Sequence, residues 1–76
     1  MTIDELKDYL SALTSHVLFE YNGCSCGIDP FRNNNFEIWM GENFMVARSI
    51  EEVLNVKFFD GKSIKEIWDD VTELEY

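Results

Sequence analysis

Positive charge is scarce in this chain: six Lys and Arg residues stand against fifteen Asp and Glu, a net charge of −9. A surface so biased repels phosphate backbones and anionic headgroups, which disfavours direct nucleic-acid or membrane binding. Histidine occurs once, as His16, and cysteine twice, as Cys24 and Cys26. A tetrahedral zinc site takes about four ligands, usually in paired spacings, so a single copy of this chain falls short. Apolar runs long enough to span a bilayer, on the order of 18 residues, are absent. The start, MTIDELKDYL, has neither a basic leader nor a continuous apolar stretch and reads as a helix, not a secretory signal. Cytoplasm is therefore the expected compartment, and its reducing conditions favour free thiols at both cysteines. A glycine-rich phosphate loop, a nucleophile elbow and paired carboxylates in a cleft are also missing, so no enzyme is expected.

What the chain does have is apolar mass. Hydrophobic residues make up 46% of it, with six Phe, three Tyr and two Trp among 76 residues. That length specifies one domain over residues 1–76, burying only about 60% of the surface its unfolded form exposes. A drug-sized pocket of roughly 300 to 1,000 Å³ would remove much of so small a core. Function is accordingly sought on the surface, with no cofactor.

Three segments open with a hydroxyl residue followed three positions later by Glu: Thr2 with Glu5, Ser49 with Glu52, and Ser63 with Glu66. Each fits a capping box, which satisfies orphan amides at a helix N-terminus. Ile3, Leu6, Leu10 and Leu13 then form one apolar stripe on a first helix ending near Thr14. Ile50, Val53 and Leu54 line a short second helix. Ile64, Ile67, Trp68, Val71 and Leu74 mark a last helix running past residue 70, with Lys62–Glu66 and Lys65–Asp69 as charge pairs four apart. Asn55 to Phe59 reads as a short strand or an extended connection, and Asp60-Gly61 turns it toward that helix.

The middle of the chain alternates with a period of two. Val17, Phe19 and Tyr21 precede Asn22-Gly23, a strong hairpin signal, which pairs Tyr21 with Cys24, Phe19 with Cys26 and Val17 with Ile28. Phe36, Ile38 and Met40 begin a second hairpin. A three-residue loop, Gly41-Glu42-Asn43, would set Met40 against Phe44 and Ile38 against Val46, leaving Glu37, Trp39, Met45 and Ala47 on the other face. Residues 28–35, with Pro30 and three consecutive Asn, read as a long connecting loop. The expected fold is α+β: a four-stranded antiparallel sheet of two β-hairpins, with an N-terminal helix and two C-terminal helices packed mainly on one face.

Several residues invite a chemical reading. Cys24 and Cys26 point to one face with Phe19 and Tyr21, where free cysteine packs as a small hydrophobe; the alternatives are a redox pair, or a metal site completed across a homodimer. His16, between the first helix and first strand, suits capping or exposure better than general-base work, because no nucleophile or orienting carboxylate lies near it in sequence. The stretch from Asp29 to Glu37 carries spaced oxygen groups but places Phe31 and Asn34 where an EF-hand requires Asp or Asn and Gly. Trp39 lies on the sheet face away from the helices, beside Glu37 and Met45, either as an interaction anchor or buried under a helix or the Asn-rich loop. Asp69, Asp70, Glu73 and Glu75 gather where they oppose the dipole of the last helix.

These features point to a small non-enzymatic interaction module, a monomer or weak homodimer, that binds a partner protein with a basic surface. Glu37, Trp39, Met45, Asp69, Asp70 and Glu73 are the candidate contact residues. An inhibitor that imitates nucleic acid is the specific form of this reading. Two other classes stand beside it: a metal- or redox-responsive regulator using Cys24, Cys26 and His16, and a structural homodimer.

Overall fold

Capping chemistry starts each helix where the sequence places it. The computed structural model describes residues 1–12, 15–31 and 35–76. In α1 (Ile3–Ser11), the Thr2 hydroxyl accepts from the Glu5 amide at 3.1 Å and the Glu5 carboxylate accepts from the Thr2 amide at 2.8 Å. Leu6 and Leu10 of its apolar stripe are fully buried. Leu13 and the expected helix end at Thr14 lie outside the described residues.

The first hairpin forms in the expected register. β1 (Val17–Tyr21) and β2 (Cys24–Phe31) pair Tyr21 with Cys24, Phe19 with Cys26 and Val17 with Ile28. Asn22 and Gly23 turn with φ of 52° and 75°, as a type I′ turn requires.

Of the expected long loop at residues 28–35, residues 28–31 and 35 are strand, and residues 32–34 lie outside the described residues. β2 continues to Phe31 and pairs with β3 (Asn35–Met40), setting Asp29 against Glu37, Pro30 against Phe36 and Phe31 against Asn35. Pro30 lies past Val17, the first residue of β1, which faces Ile28. There a strand has a neighbour on one side only, and a missing amide donor is tolerated.

The second hairpin also differs, by one residue. β4 (Asn43–Ala47) sets Met40 opposite Asn43, Trp39 opposite Phe44, Ile38 opposite Met45 and Phe36 opposite Ala47. The turn is the two residues Gly41-Glu42. Gly41 takes the positive φ of 59°, as the first position of a type II′ turn demands, so Asn43 is not needed in a left-handed conformation. A one-residue slip exchanges the faces. Met45 and Ala47 therefore belong to the core side, and Phe44 and Val46 to the side of Trp39.

The largest departure is at the end of the chain. α2 (Ile50–Asn55) is capped by Ser49, while the Glu52 carboxylate accepts from the Arg48 amide at 2.7 Å. An isolated bridge between Phe59 and Lys62 closes around Asp60-Gly61, with φ of 54° and 77°. α3 (Ile64–Ile67) opens with the full Ser63–Glu66 capping box but lasts four residues, followed by a 3₁₀ turn at Trp68–Asp70. Val71 is extended, and β5 (Thr72–Glu75) pairs antiparallel with β1. The expected helix past residue 70 is thus a strand. Carboxylates at 69, 70 and 73 would have opposed a helix dipole, Val71 and Thr72 favour strand, and the free edge of β1 offers a ladder to join. Glu66 is held by Lys57, not Lys62; that pairing, with the Ser63 amide, brings its carboxyl down to about 2.

The result is an α+β fold with a five-stranded antiparallel sheet, in the order β4-β3-β2-β1-β5, one strand more than expected. Buried residues of α1, α2 and α3 share one core with Val17, Phe19, Cys26, Ile28, Phe36, Ile38 and Ala47, so the helices cover a single sheet face. Among the described residues no helix is long and apolar enough to cross a membrane. Trp68 closes the core: its indole Nε1 donates to the Met1 carbonyl at 2.8 Å, and its ring meets Phe19 edge-on at 5.8 Å.

Removal of a buried indole leaves a cavity that a small core cannot refill. Trp68→Ala is expected to lower the unfolding free energy by about 3–5 kcal/mol, measured by urea titration. A loss below about 1 kcal/mol, the scale of an ordinary substitution, would show that Trp68 does not anchor the core.

Candidate interaction face

The face of the sheet away from the helices is built by the residues between the core positions. Leu18 and Glu20 come from β1, Ser25, Gly27, Asp29 and Phe31 from β2, Glu37 and Trp39 from β3, and Phe44 and Val46 from β4. Phe44 is 66% exposed, Phe31 43% and Val46 42%. Apolar side chains of this size usually turn inward, and a cluster of them on one face marks a contact surface.

Trp39 is held in place at the centre of this face. It pairs across the ladder with Gly27, and its ring occupies the space where a side chain would stand: a Cβ on Gly27 would lie 2.4 Å from the indole. The indole Nε1 donates to the Asp29 carboxylate at 3.1 Å. Trp39 is half-buried; the described helices pack on the opposite sheet face, and residues 33–34 of the Asn-rich segment lie outside the described residues. Such a ring is rigid before any partner arrives, which lowers the entropy cost of binding.

Charge on the sheet has one sign. The five strands carry Glu20, Asp29, Glu37, Glu73 and Glu75 but no Lys or Arg. Lys7, Arg48, Lys57, Lys62 and Lys65 all fall in helices and connections, and Arg32 lies outside the described residues. The two ion pairs among the described residues, Lys7–Glu51 and Lys57–Glu66, do not involve the strands.

Near β5 the face becomes concave. A depression of about 410 Å³ is lined by Leu18, Glu20, Ser25, Trp39, Glu73 and Glu75, among others. The ladder is irregular here, because the register shifts between the Leu18–Glu75 and Glu20–Thr72 pairs, and Glu73 adopts a φ of 54°. Bulges of this kind bend a strand and re-aim its side chains.

The residues singled out in the sequence separate into groups. Glu37, Trp39 and Glu73 do come to the outer face, the latter two around the same depression. Met45 does not, because the register of β4 places it opposite Ile38 against the core. Asp69 and Asp70 are exposed on the 3₁₀ turn before β5, outside the lining of the depression. Leu18, Glu20, Phe31, Phe44, Val46 and Glu75 were not singled out as contacts. Alternation already placed Leu18 and Glu20 opposite to Phe19, whereas Glu75 joins this face only because β5 is a strand.

The cysteines also separate. Cys26 is buried, as expected, but Cys24 is exposed. It stands in the last pair of the ladder before the turn, opposite Tyr21. His16 is exposed just ahead of β1, and Cys24 faces the far end of that strand, roughly 17 Å away at the rise of an extended chain. Among the described residues no three His, Cys, Asp or Glu side chains converge to hold a metal ion. Burial and the neighbouring Cys24 push the Cys26 thiol up to about 11.

No family model matches this chain, and neither the curated proteins nor the solved structures contain a match.

Three outcomes are expected from this geometry. Cys24 is modified quickly by a thiol reagent in the native state and Cys26 only on unfolding; equal rates would place both at the surface. Since the raised Cys26 value means that the folded state retains a proton the unfolded state releases, stability falls as pH rises from the ordinary thiol range through about 11. Gly27→Ala drives the indole off its seat, shifting the Trp39 Nε1 proton resonance and costing about 1–3 kcal/mol as an overpacked site. An unchanged resonance would show that the ring does not rest on Gly27.

Proposed function

We propose that this chain is a non-enzymatic protein-interaction module whose outer sheet face binds a partner protein with a basic surface. The observation that carries the reading is the coincidence, on one face, of exposed Phe44 and Val46 beside a seated Trp39, with exposed Phe31 farther along β2, and of carboxylates with no cation in any strand. An apolar centre excludes water and supplies most of the affinity, while a charged rim selects the partner and speeds encounter.

A second copy of the chain fits this face poorly. A twofold contact brings the same surface of each copy together, so the carboxylates beside Trp39 would meet their own kind in a protein of net charge −9. A basic partner satisfies both the apolar centre and the rim.

Capture with the wild type and with the Trp39→Ala/Phe44→Ser variant tests the proposal. The expected result is a basic protein held by the wild type and lost from a variant that remains folded by circular dichroism. Its association slows as salt rises, and Trp39→Ala alone chiefly hastens dissociation. Retention by the double variant, or salt-insensitive binding to an acidic protein, would overturn the reading; so would a stable dimer by sedimentation that buries this face.

A further inference from the structure

The depression between β3 and β5 has a composition that selects among basic side chains. The strand order runs β3-β2-β1-β5, so Trp39 stands at one side, Glu73 and Glu75 at the other, with Leu18, Glu20 and Ser25 between them. We infer that this depression receives an arginine side chain of the partner, its guanidinium set between the Trp39 indole and the carboxylates of Glu20, Glu73 and Glu75. This rests on the reading of the outer face as the binding surface for a basic protein.

The choice of cation follows from shape and spacing. The three carboxylates share one depression, yet among the described residues no three acidic groups converge closely enough to hold a metal ion. A single small ion therefore cannot satisfy them together, whereas a planar guanidinium offers five donors directed over a wider arc. Guanidinium is also more weakly hydrated than ammonium and stacks on aromatic rings, so it loses less on leaving water for a site walled by an indole. Leu18 and Leu74 in the lining suit its three-carbon stem. Neither ion pair among the described residues includes Glu20, Glu73 or Glu75.

The backbone at Glu73 permits a clean test. A φ of 54° is strained for Glu but tolerated by Asn, so Glu73→Asn removes the charge and is expected to hold or raise the thermal midpoint. The probes are acetyl-Leu-Arg-Leu-Arg-Leu-amide, its lysine counterpart and its citrulline counterpart, which keeps the shape of arginine without the charge. Binding is read by amide and indole chemical shifts. The expected result is that the arginine peptide shifts the Trp39 Nε1 proton and the amides of Ser25, Glu73 and Glu75. Affinity falls roughly tenfold for citrulline, for Glu73→Asn and for Glu75→Gln, the scale of one lost charge-assisted contact, and the lysine peptide binds more weakly than the arginine peptide. Citrulline binding as tightly as arginine would overturn the inference, as would undiminished binding to both Glu variants. If the peptide shifts Phe44 and Val46 but not Ser25, Glu73 or Glu75, the arginine site is wrong and the interaction face stands. If a captured basic partner leaves every outer-face resonance unmoved, both fall.

Discussion

The arrangement of this protein depends on a period of two kept in register across the four strands β4-β3-β2-β1. Asn22 and Gly23 set it at the first hairpin, where φ of 52° and 75° lets the chain reverse in two residues. From there Val17, Phe19, Cys26 and Ile28 face the helices, and Leu18, Glu20, Gly27 and Asp29 face away. A slip of one residue would send carboxylates into the core and leave the aliphatic set in water. The fully buried Ile28, Phe36 and Ile38 therefore hold the outer face in place as firmly as they hold the core.

The same division determines what the surface can do. A protein of 76 residues has little apolar material to spare, yet it leaves Phe44 two-thirds exposed and seats a tryptophan on glycine on the uncovered side of its sheet. Gly27 is part of that arrangement, because any side chain there would displace the ring. The hydrogen bond from the indole to Asp29 ties the apolar centre to the acidic rim. Rigidity, hydrophobic area and negative charge thus arise from a few residues on β2 and β3.

Local chemistry and distant pairing contribute unequally along the chain. All three helix caps form at the hydroxyl residues that announce them, since an N-cap involves groups only a few residues apart. The first hairpin is legible for the same reason. The second turn is ambiguous in sequence because Gly41 and Asn43 both tolerate positive φ, and a two-residue reversal through Gly41 moves Met45 from the outer face to the core. The segment around Pro30 looked like a loop because proline is excluded from central strands, but that rule lapses where β1 has ended.

From its own residues the sequence determines an acidic, cation-poor chain, three capped helix starts, the Asn22-Gly23 hairpin, a buried Trp68 and a Trp39 turned from the core. Only the tertiary structure decides that residues 72–75 form a strand, for their apolar spacing suits a helix until the free edge of β1 competes for their amides. That edge brings Glu73 and Glu75 to the depression shared with Trp39, more than 30 residues away in sequence. Periodicity reports which side of an element is apolar. It carries no information about which edge remains unpaired, and at that edge the outer face acquires its concave, acidic end.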